Sequence, residues 1–301
     1  MKSHFERNPT ARKPSRLPEP DRSARWGITT ESLAAYTFRC QRHSVGLGPP
    51  NERRPIGDYE FASGVLIEWH GRTFVATADH FLDEVQPEKV HVLFPADKGF
   101  KISTSLDEHK QRLLQKSDLQ IRLATPLQIR SHARSRKKNL DIAVLEVARD
   151  LVPSWSEVYR LPSDHPISVS LGSMTVLVAM PAAVTAVKKE LRNPIIRRGW
   201  GALAAQVDTK EPEKWDSWDK THSLQLRLDA HGAEIARRIR LLGYSGCGAW
   251  EIKKIGASRK KLWFPEPKLV GIQVAHRPES GKLQVTSVEA LLELLKTHYS
   301  T

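Results

Sequence analysis

The sequence predicts a mainly-β protein that closes on one C-terminal helix. Three observations carry this. Short runs rich in β-branched and aromatic residues recur along the chain, two of them flank a tight-turn signal, and a helical apolar period follows the last of them. At 301 residues, 40% hydrophobic and 27% charged, the chain can form one large or two small soluble domains with buried cores.

The elements follow in order. Residues 1–28 are rich in Pro, Arg and Ser, lack an apolar period, and read as a basic, disordered tail. Ser32–Arg39 fits a short helix or a strand. Phe61–Trp69 and Arg72–Thr77 are strands joined by the turn His70-Gly71. The second runs into Ala78-Asp79-His80 and a helical turn, Phe81–Glu84. Val90–Phe94 is a strand, Ser105–Lys116 a charged surface excursion, and Leu140–Val147 a further strand behind the basic stretch Arg130–Lys138. A connection punctuated by Pro153, Pro162 and Pro166 leads to Met174–Ala179. Leu224–Leu228 alternates, which predicts one wet and one buried face. Asp229–Leu242 reads as a helix between strands. Leu262–Phe264 and Leu269–Ala275 are strands, and Ser287–His298 is an amphipathic helix with Ser287 as N-cap.

The formal charge is +13. Such a balance suits nucleic acid, an anionic membrane or an acidic protein. The tail over 1–26 holds seven Lys/Arg against three Asp/Glu, with further runs at Arg134–Lys138, Arg237–Arg240 and Arg259–Lys261. None is interleaved with aromatics as a stacking platform would be, so solvated faces are the expectation and nucleic-acid binding is not. No run is apolar enough to cross a membrane, and no secretory h-region opens the chain. Cys40 and Cys247 are far apart with no CxxC pair. They do not make a zinc site, and their simplest reading is two reduced thiols in a cytoplasmic protein, with one Cys40–Cys247 bridge as the alternative.

Three segments combine into chemistry. Thr77-Ala78-Asp79-His80 puts a histidine at a strand end. Asn139-Leu140-Asp141-Ile142-Ala143-Val144-Leu145 puts an aspartate before an apolar strand. Gly243-Tyr244-Ser245-Gly246-Cys247-Gly248-Ala249-Trp250 sets a serine in a glycine-rich turn. Singly, each is an ordinary surface or turn feature. Together they supply a hydroxyl that needs a base, an imidazole able to act as one, and a carboxylate able to fix the imidazole tautomer. The glycines let backbone N–H groups converge on a developing oxyanion. This chemistry asks for no cofactor or metal.

With the order His, Asp, Ser, the chain resembles the trypsin-like serine peptidases of the chymotrypsin fold, bacterial intracellular members above all. The resemblance spans Phe61 to the final helix and rests on FASGVLIEWHGRTFVATADH, NLDIAVLEV, GYSGCGAW and LVGIQVAH. It implies a serine endopeptidase with two antiparallel β-barrels and a C-terminal helix. His80 would be general base, Asp141 its orienter and Ser245 the nucleophile, with the Gly243 and Ser245 N–H groups as oxyanion hole. The implied organisation is the tail over 1–28, an N-terminal barrel over 29–155 with His80 and Asp141, and a C-terminal barrel over 156–301 with Ser245. Four departures stand out. Asp79 replaces the family's Ala, Cys247 replaces a Gly, and Tyr244 stands where zymogen-activated members carry Asp. The fourth is the pre-serine segment Ala233–Arg240, basic and helix-prone, with no acidic pocket floor for Arg or Lys. The pre-serine segment and Cys247 favour an alternative function, a regulatory or binding module on the same scaffold, silent until a protein partner opens the site, whereas three intact catalytic residues count against permanent inactivity. An acidic partner at Arg237–Arg240 would be one such contact, against the plainer reading of a solvated helix face.

Overall fold

The computed structural model describes residues 30–48, 61–94, 129–135, 140–162, 169–180, 185–188, 195–198, 200–210, 212, 214–215, 218–239, 241–252 and 266–300. Two antiparallel assemblies dominate. The first contains β1 (Ser44–Gly48), β2 (Ala62–Trp69), β3 (Arg72–Ala78), β4 (His91–Leu93), β5 (Ile129–Arg134) and β6 (Ile142–Val147), in the spatial order β4-β1-β2-β3-β6-β5. β7 (Tyr159–Arg160) joins it, parallel to the end of β2. The second contains β8 (Met174–Ala179), β11 (Gly201–Val207), β12 (Ser223–Leu228), β13 (Gly248–Ile252), β14 (Lys268–Arg277) and β15 (Lys282–Ser287). It closes as a barrel in the order β11-β12-β15-β14-β13-β8. β9 (Thr185–Lys188) and β10 (Ile195–Arg198) form a separate hairpin. The mainly-β expectation holds, with one difference: among the described residues the first sheet stays open, edged by β4 and β5.

The helices are α1 (Thr30–Arg42), α2 (Phe81–Glu84), α3 (Ala230–Ile239) and α4 (Val288–Tyr299). α1 settles the open choice at Ser32–Arg39 in favour of helix. The β2–β3 hairpin turns on His70 and Gly71, both at positive φ (49° and 75°), as a two-residue turn matched to strand twist requires.

Apolar runs without polar alternation are explained by burial on both strand faces. In β2, Val65, Ile67 and Trp69 enter one core while Leu66 enters another. β3 divides Phe74 and Ala76 from Val75, and β6 divides Ile142 and Val144 from Ala143 and Leu145. On the barrel side, β8 sends Val176 and Val178 to the first core and Leu177 and Ala179 into the barrel interior. The core common to both assemblies therefore lies between them. Tyr36 and Cys40 of α1 and Leu291, Leu295 and Tyr299 of α4 complete it.

Two expectations need correction. Gln225, predicted to face water from β12, is buried because Asp208 and Trp215 cover it: its amide donates to Asp208 Oδ2 and accepts from Trp215 Nε1. Ser287 does sit at the N-cap of α4, but its hydroxyl makes no capping bond. The tail 1–28, Ser105–Lys116, residues 136–138, Arg240, Arg259–Lys261 and Leu262–Phe264 lie outside the described residues. Cys40 and Cys247 are free, buried thiols. No described helix is long and apolar enough to cross a membrane.

Candidate active site

β3 ends at Ala78, and Asp79 and His80 turn out of the sheet, His80 in helical backbone geometry at the head of α2. Asp141 lies directly before β6, the strand paired with β3. Its φ is 45°, a left-handed conformation that Asp tolerates better than most residues. This geometry folds its carboxylate back over the β3 end. Oδ1 accepts the backbone N–H of His80 at 2.8 Å, and Oδ2 lies 2.7 Å from His80 Nδ1. The Asp141 carbonyl accepts the Asp79 N–H at 3.1 Å. In the tautomer that carries its proton on Nδ1, this contact is an N–H donated to Oδ2 and Nε2 is the accepting ring nitrogen. The histidine side chain is 47% exposed and the aspartate 20%, which leaves the imidazole reachable and the carboxylate sheltered.

Ser245 lies in the turn between α3 and β13. The turn needs positive φ at Leu241 (46°), Gly243 (86°) and Gly246 (86°). Tyr244 N–H donates to Leu241 O, Gly246 N–H to Gln273 O and Cys247 N–H to Tyr244 O. Among the described residues, the N–H groups of Gly243 and Ser245 have no such backbone acceptor. These are the two assigned above to the oxyanion hole. Burial within the barrel drives the Tyr244 phenol and the Cys247 thiol upward, so both stay protonated and uncharged.

The serine turn is carried to the end of β3 by backbone contacts across the two assemblies. Ser63 of β2 donates its N–H to Ser245 O (2.7 Å) and its hydroxyl to Gly243 O (2.7 Å). The same hydroxyl accepts the Met180 N–H at 3.0 Å, and the Ser63 carbonyl accepts Thr77 Oγ1 at 2.8 Å. Gly246 packs so tightly that a Cβ there would come within 2.1 Å of Ser63 O, 2.2 Å of Thr77 Oγ1 and 3.0 Å of Ala78 N. Ala78 is two residues from His80. From the barrel, Thr286 of β15 donates its hydroxyl to Leu140 O, beside Asp141.

His80 and Asp141 are thus in direct contact, and the Gly243–Ser245 turn is fixed against the strand that presents His80. Sequence reasoning passed over Ser63, Thr286 and Arg134. The last bonds Asp79 and Asp83, on either side of His80. A signal existed for two of them. Ser63 is a polar residue inside an apolar strand and must find partners once buried. Asp79 is a charge where the resembled family has Ala, and a half-buried charge calls for a counter-charge.

No family model matches the chain, and no curated protein matches it. Solved structures do. Human heparin binding protein matches with a TM-score of 0.51 at 15% identity, over 86% of this chain and 92% of that one. The Rv3671c protease of M. tuberculosis in its active form matches over 100% and 95% at 13% identity, TM-score 0.46. A scabies mite inactivated protease paralogue matches over 87% and 97% at 14% identity, TM-score 0.49. With the closed six-stranded barrel, the open sheet beside it and the terminal helix, the chain has the chymotrypsin fold.

Proposed function

We propose that the protein is a serine endopeptidase that cleaves peptide bonds through an acyl-enzyme intermediate, with Ser245 as nucleophile, His80 as general base and Asp141 as orienter. The observation that carries this reading is the Asp141 carboxylate, which holds both the backbone N–H and the Nδ1 of His80. A carboxylate so engaged fixes the imidazole tautomer and supports the imidazolium that forms in the reaction.

The steps balance without a cofactor. Ser245 Oγ adds to the scissile carbonyl carbon as its proton passes to His80 Nε2. The negative charge on the carbonyl oxygen is met by the Gly243 and Ser245 N–H groups. The tetrahedral adduct collapses, the C–N bond breaks, and the imidazolium returns its proton to the leaving amine. Water then repeats the sequence on the ester and frees Ser245. Cys247, two residues on, is no competing nucleophile because burial keeps it a thiol. Tyr244, neutral and buried, offers no charge for a freed N-terminal ammonium, so the turn is held by its own glycines and by Ser63. Two buried, unbridged thiols fit a reducing compartment such as the cytoplasm.

The test is labelling of purified full-length protein with a fluorophosphonate. Labelling of wild type that is abolished in Ser245→Ala supports the reading, and equal labelling of both overturns it. A second reading, a module on this scaffold opened by a protein partner, draws on α3, which ends at Ile239 beside Leu241 (φ 46°) and the 61% exposed Leu242. Labelling of Ser245 only when cell extract is added would favour it.

A further inference from the structure

Asp79 and Arg134 are each odd alone. Asp79 is a half-buried carboxylate beside the candidate base and close enough to Asp141 to feel its charge, and Arg134 is one cation of a run that reads as solvated surface. In the fold they explain each other. Arg134, at the end of β5, donates Nε to Asp79 Oδ1 and NH2 to Asp83 Oδ1. It also reaches the carbonyls of Asp79 (3.2 Å) and Leu82 (3.4 Å). Four acceptors on one five-residue turn converge on one guanidinium, and His80 stands inside that turn. The pair Asp79–Arg134 is sheltered, with side chains 16% and 34% exposed. Burial raises the Asp79 carboxyl and Arg134 pulls it back down, while the carboxylates draw the guanidinium further upward.

We propose that Arg134 is a positioning residue for His80: by clamping Asp79, Asp83 and the carbonyls between them it fixes the turn that presents the imidazole, and by pairing with Asp79 it offsets the carboxylate adjacent to His80 in the chain. This rests on the peptidase reading for its functional meaning, though the clamp itself does not. Among the described residues, the ionisable groups on the elements that carry the imidazole and pack on its turn include Asp141 ahead of β6, Asp79, Asp83 and Glu84 on its own turn, and Arg134 on β5. The serine turn adds Tyr244 and Cys247, which burial keeps neutral. Removing Arg134 makes the balance at His80 more negative, which favours imidazolium.

The experiment follows the His80 imidazole by NMR titration of the full chain, its resonance assigned through His80→Gln. The variants are Arg134→Met, Arg134→Lys, Asp79→Asn and Asp79→Asn/Arg134→Met. The expected result is a rise of the His80 midpoint by about half a pH unit or more in Arg134→Met. The midpoint should return toward wild type in the double variant and be largely held in Arg134→Lys. An unchanged midpoint in Arg134→Met, or a rise that the double variant keeps in full, overturns the proposal. Should Arg134→Met fail to fold, the double variant and Asp79→Asn decide: a lowered midpoint in Asp79→Asn that is absent from the double variant supports the clamp, and equal shifts in both overturn it. Because this readout needs no turnover, it stands apart from the fluorophosphonate test. Wild type that never labels counts against the peptidase reading, and an unmoved titration counts against the clamp.

Discussion

The two halves of the site are held in different ways. Around His80 and Asp141, charges do the holding: one carboxylate on two N–H groups, one guanidinium on two carboxylates, all partly open to water. Around Ser245 the holding is steric and neutral: glycine backbone, a buried serine hydroxyl, and a contact with no room for a methyl group. The first arrangement responds to pH and salt. The second responds to volume and to any buried polar group left unpaired. In the proposed reading a base must change charge during its work, which charged surroundings suit. In the same reading a nucleophile and an oxyanion hole must hold their directions, which close packing would secure.

Asp141→Asn attacks the charged half and should have the largest effect. The amide favours the wrong imidazole tautomer, and turnover should fall by ~10⁴ with little change in thermal unfolding. Near-normal turnover would remove Asp141 from its role. Gly246→Ala attacks the steric half. Strain at φ 86° and overlap with Ser63 O and Thr77 Oγ1 should together cost about 3 kcal/mol or more in urea unfolding, with loss of labelling. A variant as stable as wild type would mean the two assemblies can part locally at little cost. Ser63→Ala leaves the Met180 N–H and Gly243 O without the hydroxyl, and about 2 kcal/mol of stability and tenfold in labelling rate should go with it. Equal labelling would show that the serine turn orders itself without this tie.

The smallest effect concerns a second charged clamp on the first sheet. Arg72 forks onto Glu146 at 2.9 and 2.6 Å, Ser131 Oγ donates to the same carboxylate, and Arg72 lies over the Tyr299 ring. The Arg72 hydrogen bonds hold the Glu146 carboxyl below its usual range. A depressed carboxyl contributes stability above its unfolded value, ~4.3, and loses it as pH falls through the lower folded value. Arg72→Met should therefore cost about 1 kcal/mol at neutral pH, and the gap to wild type should close below pH ~4. A gap independent of pH would assign the loss to packing on Phe74 and Tyr299 alone.

Much of this architecture could be read from the sequence because its signals are local. The β2–β3 hairpin announces itself by two dense strands and His70-Gly71, and α4 by its leucine spacing. The candidate site could be proposed from three segments, since His80, Asp141 and Ser245 each lie at a recognisable strand end or glycine turn, and the structure brings His80 and Asp141 into contact. What stayed hidden depends on distant pairing. Arg130–Lys138 looked like a basic lead-in because its apolar content is low, yet Ile129–Arg134 is a strand that pairs with β6 and, among the described residues, ends the sheet. Gln225 looked wet because the residues that cover it, Asp208 and Trp215, come from a loop with no pattern of its own. Ser63 and Thr286 carry no local mark of their partners across the two assemblies.

The core between the assemblies has a consequence for biosynthesis. Tyr36 and Cys40 enter it from α1, and Leu291, Leu295 and Tyr299 from α4, with the Phe74 and Tyr299 rings 4.9 Å apart. While the ribosome is still making the barrel, β2 and β3 expose one whole apolar face, a state that invites chaperones. The serine turn docks on those same strands through Ser63. In the peptidase reading the site would complete only when the serine turn has docked on Ser63, after the strands of both assemblies have been made.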